Sequence, residues 1–139
     1  MAKKVLLDAV LVIDSNDLTQ WCAKVELNDE FEEKDVTTYA SGGAKEVLGG
    51  LESGDVGISF KNSHTAGELD EIMWAIARTR TPVTFTVRAD EAAVSTGNPQ
   101  YSGSLLVNKW MPIAGSVGDV NEFDVTYPLS GVLARATST

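Results

Sequence analysis

Val83-Thr84-Phe85-Thr86-Val87-Arg88, Tyr101-Ser102-Gly103-Ser104-Leu105-Leu106-Val107-Asn108 and Glu122-Phe123-Asp124-Val125-Thr126-Tyr127 are three runs between Pro82 and Pro128, and they decide the fold class. Val83, Phe85 and Val87 alternate with polar neighbours, as do Tyr101, Gly103, Leu105 and Val107, and then Phe123, Val125 and Tyr127. Side chains of a strand point by turns to opposite faces, so a period of two over successive windows marks half-buried antiparallel strands. Neither the single histidine nor the single cysteine falls in this region. It reads as a surface for assembly and not for catalysis.

Immediately before Pro82 the period changes. Leu69, Ile72, Met73 and Ile76 recur at i, i+3, i+4 and i+7, which predicts one amphipathic helix. Thr65-Ala66-Gly67-Glu68 has the spacing of a capping box, Glu68, Asp70 and Glu71 stand early, Arg78 and Arg80 late, and Pro82 stops the helix. Upstream, Val56, Ile58 and Phe60 alternate through Gly54 to Asn62, and Trp21, Ala23, Val25 and Leu27 through a second strand. Val5 to Ile13 reads as a first strand that turns back at Asp14-Ser15-Asn16-Asp17, whose side chains can bond their own backbone. Asp8 interrupts that apolar stretch and no small-x-small site follows before Trp21, which argues against a secretory signal.

Asn28 to Gly50 breaks this regularity. It carries Asp29, Glu30, Glu32, Glu33 and Asp35, then Ser41-Gly42-Gly43 and Gly49-Gly50, and is expected to form a long mobile excursion. Structureless loops beyond about 12 to 15 residues are uncommon and usually functional or disordered. A solvated charged hairpin without a role is the alternative, but the embedded Phe31, Val36, Tyr39, Val47, Leu48 and Leu51 favour docking on a neighbouring molecule. Downstream, Asp90 to Pro99 is a polar loop, Gly115 to Asp119 a tight connection, and residues 129–139 a C-terminal tail, small-residue from Ser130 to Thr139 with Leu133 as its large apolar anchor.

The bulk properties bound what the chain can do. At 139 residues it is long enough for one domain that exposes about 7,000 Å² when compact. Its 43% apolar content supports an ordered core, and no apolar window is long enough for a membrane-spanning helix, so no membrane insertion is expected. Twenty acidic against eleven basic residues give a net charge of −9, and the basic residues are scattered. Tight duplex binding needs several phosphates neutralised together, so the chain is not built to hold DNA. Cys22 is the only cysteine, which rules out an internal disulfide and fits synthesis in a reducing compartment.

The chemistry of enzymes is missing at the level of motifs. His64 has no second histidine or cysteine with which to hold zinc, and the acids at 29 to 35 lack the central glycine and terminal glutamate of a calcium loop. Neither glycine pair is followed by the Gly-Lys-Ser/Thr of a phosphate cradle. An enzyme reading would need a convergent carboxylate pair in a cleft. Trp21, Trp74 and Trp110 could form a sugar platform only if they shared one exposed face.

The order of elements carries a resemblance. A lysine-rich start, the Asn16-Asp17-Leu18 turn, the polar excursion, the Gly54 to Phe60 strand, one helix and Pro82 to Arg88 are followed by Asn98-Pro99-Gln100-Tyr101-Ser102-Gly103, Gly115 to Asp119, and Phe123 to Pro128. In this order and spacing the chain resembles the major tail tube protein of long-tailed, non-contractile bacteriophages. The resemblance implies a mainly β fold: a β-sandwich or half-barrel of about seven strands with one flanking helix, forming a single tail-tube-like domain. It implies sixfold rings that stack into a hollow tube through which DNA passes without tight binding, with no cofactor, no metal and no catalysis. Copies of the chain itself, and tape-measure, tail-tip and tail-terminator proteins, are the implied partners. The implied location is the virion tail, after synthesis in the bacterial host cytoplasm.

Physical argument meets this at several points. About eight strands close a barrel that is filled by its own side chains, and an aqueous channel needs roughly sixteen. A bore for DNA therefore needs strands from several copies, and ring closure would also remove exposed strand edges. Stacking needs segments that reach beyond the domain; residues 1–4, the excursion and the tail are the candidates, ordering on assembly. Glu30, Phe31, Glu32, Glu33, Asp35, Val36, Tyr39, Val47 and Leu48 are the expected contacts between rings. Lys24 and Glu26, Ser102 and Ser104, or Glu122 and Asp124 are candidates for the lumen, and the pattern does not choose among them. A ring-stacking component of a type VI secretion tube and a monomeric sugar-binding β-sandwich are the alternatives.

Overall fold

A computed structural model describes Lys3 and residues 5–138. Eight strands form two antiparallel sheets. They are β1 (Val10–Ile13), β2 (Asn16–Asp17), β3 (Cys22–Asp35), β4 (Val47–Lys61), β5 (Val83–Arg88), β6 (Gln100–Leu105), β7 (Glu122–Pro128) and β8 (Ala134–Ala136), with α1 (Leu69–Thr79) between β4 and β5. One sheet has the order β2-β1-β5-β6-β8 and the other β3-β4-β7. The architecture is a two-sheet sandwich with one helix, as the alternation predicts, and it is not a closed barrel.

The core lies between the sheets. Leu11, Ile13, Phe85, Val87 and Leu105 face it from the five-stranded sheet, and Val56, Ile58, Phe60, Phe123, Val125 and Tyr127 from the three-stranded one. Leu69, Met73 and Ile76 bring the apolar stripe of α1 into the same cluster. Trp110 meets Phe60 and Phe123 edge-on, with ring centroids 5.7 and 4.9 Å away, and its indole N–H donates to Asp70 on α1 at 3.0 Å. The Tyr127 hydroxyl donates to the Lys109 carbonyl, and burial pushes that phenol far above its usual range.

Several boundaries differ from the expectation, each for a local reason. The first strand begins at Val10 and not Val5, because its partner β5 ends at Arg88, opposite Val10. β6 stops at Leu105, short of Asn108, because Leu105 pairs with Val83, the first residue after Pro82. The capping box does not form: the chain turns at Gly67 with φ 78°, and Glu68 becomes the residue before the helix. The Glu71 carboxylate accepts from the Gly67 N–H at 2.6 Å instead.

The tail after Pro128 is also not a reaching segment. The Leu129 and Ser130 N–H groups donate to Gly54 and Ser104, so the chain crosses from one sheet to the other, and Ala134–Ala136 adds β8 to the edge of β6. Gly54 makes this crossing possible: a Cβ there would lie 2.3 Å from the Asn28 carbonyl oxygen and 2.9 Å from Leu129. Met1, Ala2, Lys4 and Thr139 lie outside the described residues, so the proposed reach of residues 1–4 falls mostly there.

Candidate functional site

The segment expected as a mobile loop is an ordered hairpin. β3 and β4 pair continuously from Cys22↔Phe60 to Asp35↔Val47, well past the end of the sandwich. From Asn28 outward every β3 residue is exposed, and so is β4 from Val47 to Leu51. Eight residues of strand, Asn28 to Asp35, carry this two-stranded arm about 25 Å beyond the body. The chain exposes 9038 Å², against about 7,000 Å² for a compact chain of its mass. That excess of about 2,000 Å² is more than the roughly 800 Å² that each partner contributes to a standard interface.

Local bonds organise the arm. Two residues, Gly50 and Leu51, lie opposite Glu32 between the pairs Phe31↔Glu52 and Glu33↔Gly49, a bulge at which a Cβ on Gly50 would press on the Glu32 side chain at 3.0 Å. At the tip the Thr38 N–H donates to the Ser41 hydroxyl at 3.0 Å and the Glu46 N–H to the Thr37 hydroxyl at 2.8 Å. Gly42 and Gly43 close the turn with φ of 70° and 86°. The Thr37 side chain, and with it the Thr37 N–H that donates to Asp35 at 2.9 Å, holds the Asp35 carboxyl below the usual range. Lys34 bridges Glu32 at 3.1 Å and Lys45 bridges Glu33 at 3.6 Å.

The structure brings all nine expected contact residues onto this arm. Glu30, Phe31, Glu32, Glu33 and Asp35 are on β3, Val36 and Tyr39 at the tip, and Val47 and Leu48 on β4, all exposed. Leu51, 73% exposed, joins Phe31 at 63% and Leu48 at 61%. By the pairing register Phe31 continues outward the stripe of Val25 and Leu27, which face the core. At the base of the arm the neighbouring Asp29 carboxyl raises the pKa of Glu52, an effect opposed by the Leu133 backbone N–H. Asp29 also lines an open cleft with Val25, Leu27, Val87, Arg88 and Leu133, and among the described residues no serine, cysteine, histidine or lysine lines it.

The lumen candidates divide between the two outward faces. Lys24 and Glu26 pair at 2.9 Å on β3, Asp124 accepts from Ser59, and Glu122 bridges Lys61 at 3.4 Å, all on the outer face of the three-stranded sheet. Ser102 and Ser104 stand on the other sheet, opposite Thr86 and Thr84. One face is a charged lattice and the other mostly Val, Thr, Ser and Ala. The edges differ as well. The five-stranded sheet ends on strands of two and three residues, whereas the three-stranded sheet ends on β3 with fourteen residues and β7 with seven.

The remaining singled-out residues do not converge. The His64 ring nitrogen lies 2.9 Å from the Pro112 carbonyl and 3.9 Å from Asp70. Cys22 is partly buried, which pushes its thiol pKa up. Trp21 sits in a 3-10 turn, while Trp74 and Trp110 line one cleft. The guanidinium of Arg78 covers the Trp74 ring and Trp110 is packed on Phe60 and Phe123, so neither presents a bare stacking face.

No protein-family model and no curated protein sequence matches the chain. Its fold, however, has solved counterparts. A chain of the virion of a native gene transfer agent particle superposes with a TM-score of 0.73 at 18% identity, over 93% of this chain and 95% of that one. A chain from the tail of an empty gene transfer agent particle, computed with helical refinement and C6 symmetry, gives 0.72 at 18% identity, over 91% and 94%. The fold is shared with a gene transfer agent tail. At this identity the likeness establishes the fold, over nearly the whole length of both chains.

Proposed function

We propose that the chain is a structural subunit of a virion tail, of the kind found in long-tailed phages and gene transfer agents, and that its copies form sixfold rings stacked into a hollow tube for DNA. The observation that carries this reading is the arm: a long, regular ribbon with exposed Phe31, Leu48 and Leu51 that nothing in its own chain covers. A two-stranded hairpin is marginal in water, so such an arm gains its stability from a neighbour. We assign it to the contact between successive rings.

The sheet edges support the ring. β3 and β7 are long and unpaired on their outer sides, so copies joined edge to edge would extend the three-stranded sheet, while the short β2 and β8 blunt the other one. Three strands from each of six copies make eighteen, within the range where barrels leave an aqueous channel. With strands about 4.8 Å apart and tilted by about 40°, the backbone diameter is about 36 Å, which leaves about 25 Å of bore after side chains. In this arrangement Lys24, Glu26, Glu122 and Asp124 line the lumen and Ser102 and Ser104 lie outside it. A charged face whose lysines are already paired with its own carboxylates offers DNA few phosphate contacts.

The subunit needs no cofactor and performs no catalytic step, and its remaining partners would be the tape-measure, tip and terminator proteins of such a tail. Negative-stain electron microscopy of the purified chain at rising concentration tests the reading. Rings or hollow tubes are expected. A sample that stays monomeric at every concentration would overturn it, and binding to an immobilised glycan panel would then favour a sugar-binding module.

A further inference from the structure

The cations of this acidic chain are unevenly occupied. Lys24, Lys34, Lys45 and Lys61 each bridge a carboxylate, Arg88 is held by Gln100 and the carbonyls of Asp90 and Glu91, and Arg135 donates to the Tyr101 hydroxyl. Among the described residues Arg78, Arg80 and Lys109, like Lys3 near the start of the chain, have no ion pair or hydrogen bond of this kind. All three stand around one cleft of about 400 Å³ between the end of α1 and the segment after β6. No carboxylate lines it, and Trp74 and Trp110 supply its apolar wall. Arg78, Arg80 and Lys109 are exposed, and Arg78 lies 4.0 Å from the centroid of the Trp74 ring.

We propose that this cleft receives the arm of a second copy of the chain. The inference rests on the stacking reading above and names the surface on which the arm lands. Residues 28–53 carry seven carboxylates against two lysines, a net −5, together with the exposed Phe31, Leu48 and Leu51. Three cations without a carboxylate partner are the complement of that surface: guanidinium groups fork onto carboxylates, while the exposed edge of Trp74 and the aliphatic lining of Ala77 and Leu106 meet apolar side chains. A DNA backbone is a poorer occupant. It presents phosphates in a continuous line and needs a basic stripe, whereas these cations form one isolated spot on a chain of net charge −9.

Charge exchange in the full-length protein tests this. Arg78→Glu with Arg80→Glu is expected to raise the concentration at which tubes form by about tenfold or more, in a monomer that still unfolds cooperatively. Glu32→Lys with Glu33→Lys is expected to do the same, and the four substitutions together to restore assembly. In a Cys22→Ser background, Arg80→Cys mixed with Glu33→Cys is expected to give disulfide-linked dimers that neither variant forms alone. Undiminished tubes in the Arg78/Arg80 variant overturn this inference alone, as does the failure of both rescue and cross-linking. Wild-type binding to duplex DNA that the Arg78/Arg80 variant loses would assign the cleft to nucleic acid and also overturn it. Wild-type protein that never forms tubes overturns the stacking reading and this one with it.

Discussion

β3 and β4 form one ladder with two environments. In its inner half, Val25↔Ile58 and Leu27↔Val56 are paired against the opposite sheet, and Val56 and Ile58 are almost fully buried. In its outer half, Phe31↔Glu52 and Lys34↔Leu48 continue the same pairing with no second sheet over them. The backbone bonds of the two halves are alike, and each contributes only about 0.5–1.5 kcal/mol net. What differs is the covering layer, which stabilises by about 25 cal/mol for each Å² of apolar surface removed from water. Strand pairing sets the shape of both halves, and burial makes only one of them self-sufficient.

Perturbing the inner half should cost the most. Phe60→Ala removes a fully buried ring packed on Trp110 and Phe123, and a loss of about 3–5 kcal/mol is expected in urea unfolding of the monomer. Gly54→Ala strikes the junction of the two halves, where the new Cβ meets the Asn28 carbonyl. A loss of about 1–3 kcal/mol is expected, read as a lower melting temperature. If Gly54→Ala melts like wild type, the junction is softer than the geometry implies.

The outer half should answer the other way. Phe31→Ser with Leu48→Ser is expected to leave monomer stability within about 0.5 kcal/mol while raising the assembly concentration measured by sedimentation. A large loss of monomer stability would erase the distinction between the halves. The smallest effect is that of pH. Because Asp29 raises the pKa of Glu52 in the folded chain, the folded state holds that proton more tightly than the unfolded one. This contribution is present at pH below the ordinary glutamate pKa and is lost as pH rises through the raised value. Amide protection at the base of the arm, corrected for intrinsic exchange, should therefore fall as pH rises through that window, and Glu52→Gln should flatten the change.

Much of the body was legible because burial writes itself into the chain. Phe123, Val125 and Tyr127 alternate and are buried as the period requires, and Leu69, Met73 and Ile76 face the core at helical spacing. The arm was legible as a place but not as a shape. Glutamate and aspartate are poor strand formers and no core imposes alternation there, so Asn28 to Asp35 read as loop. Val47-Leu48 beyond the Ser41-Gly42-Gly43 turn was the signal for a returning strand. β8 was hidden because Ala134-Arg135-Ala136 is too short and too small to show a period.

The cleft of Arg78, Arg80 and Lys109 was beyond sequence reading altogether, since Lys109 lies 29 positions from Arg80 and only the packing of α1 beside the segment after β6 brings them together. From the sequence alone came a mainly β domain with one helix, an acidic composition, a lack of catalytic motifs and nine residues proposed for contact in one segment, all properties of composition and local period. The tertiary structure alone decided that the segment is a paired two-stranded ribbon, that the lumen candidates fall on opposite faces, and that one sheet keeps long free edges while the other is blunted. Those depend on which strands pair and which layer covers them, and pairing between residues distant in sequence leaves no mark on the local period.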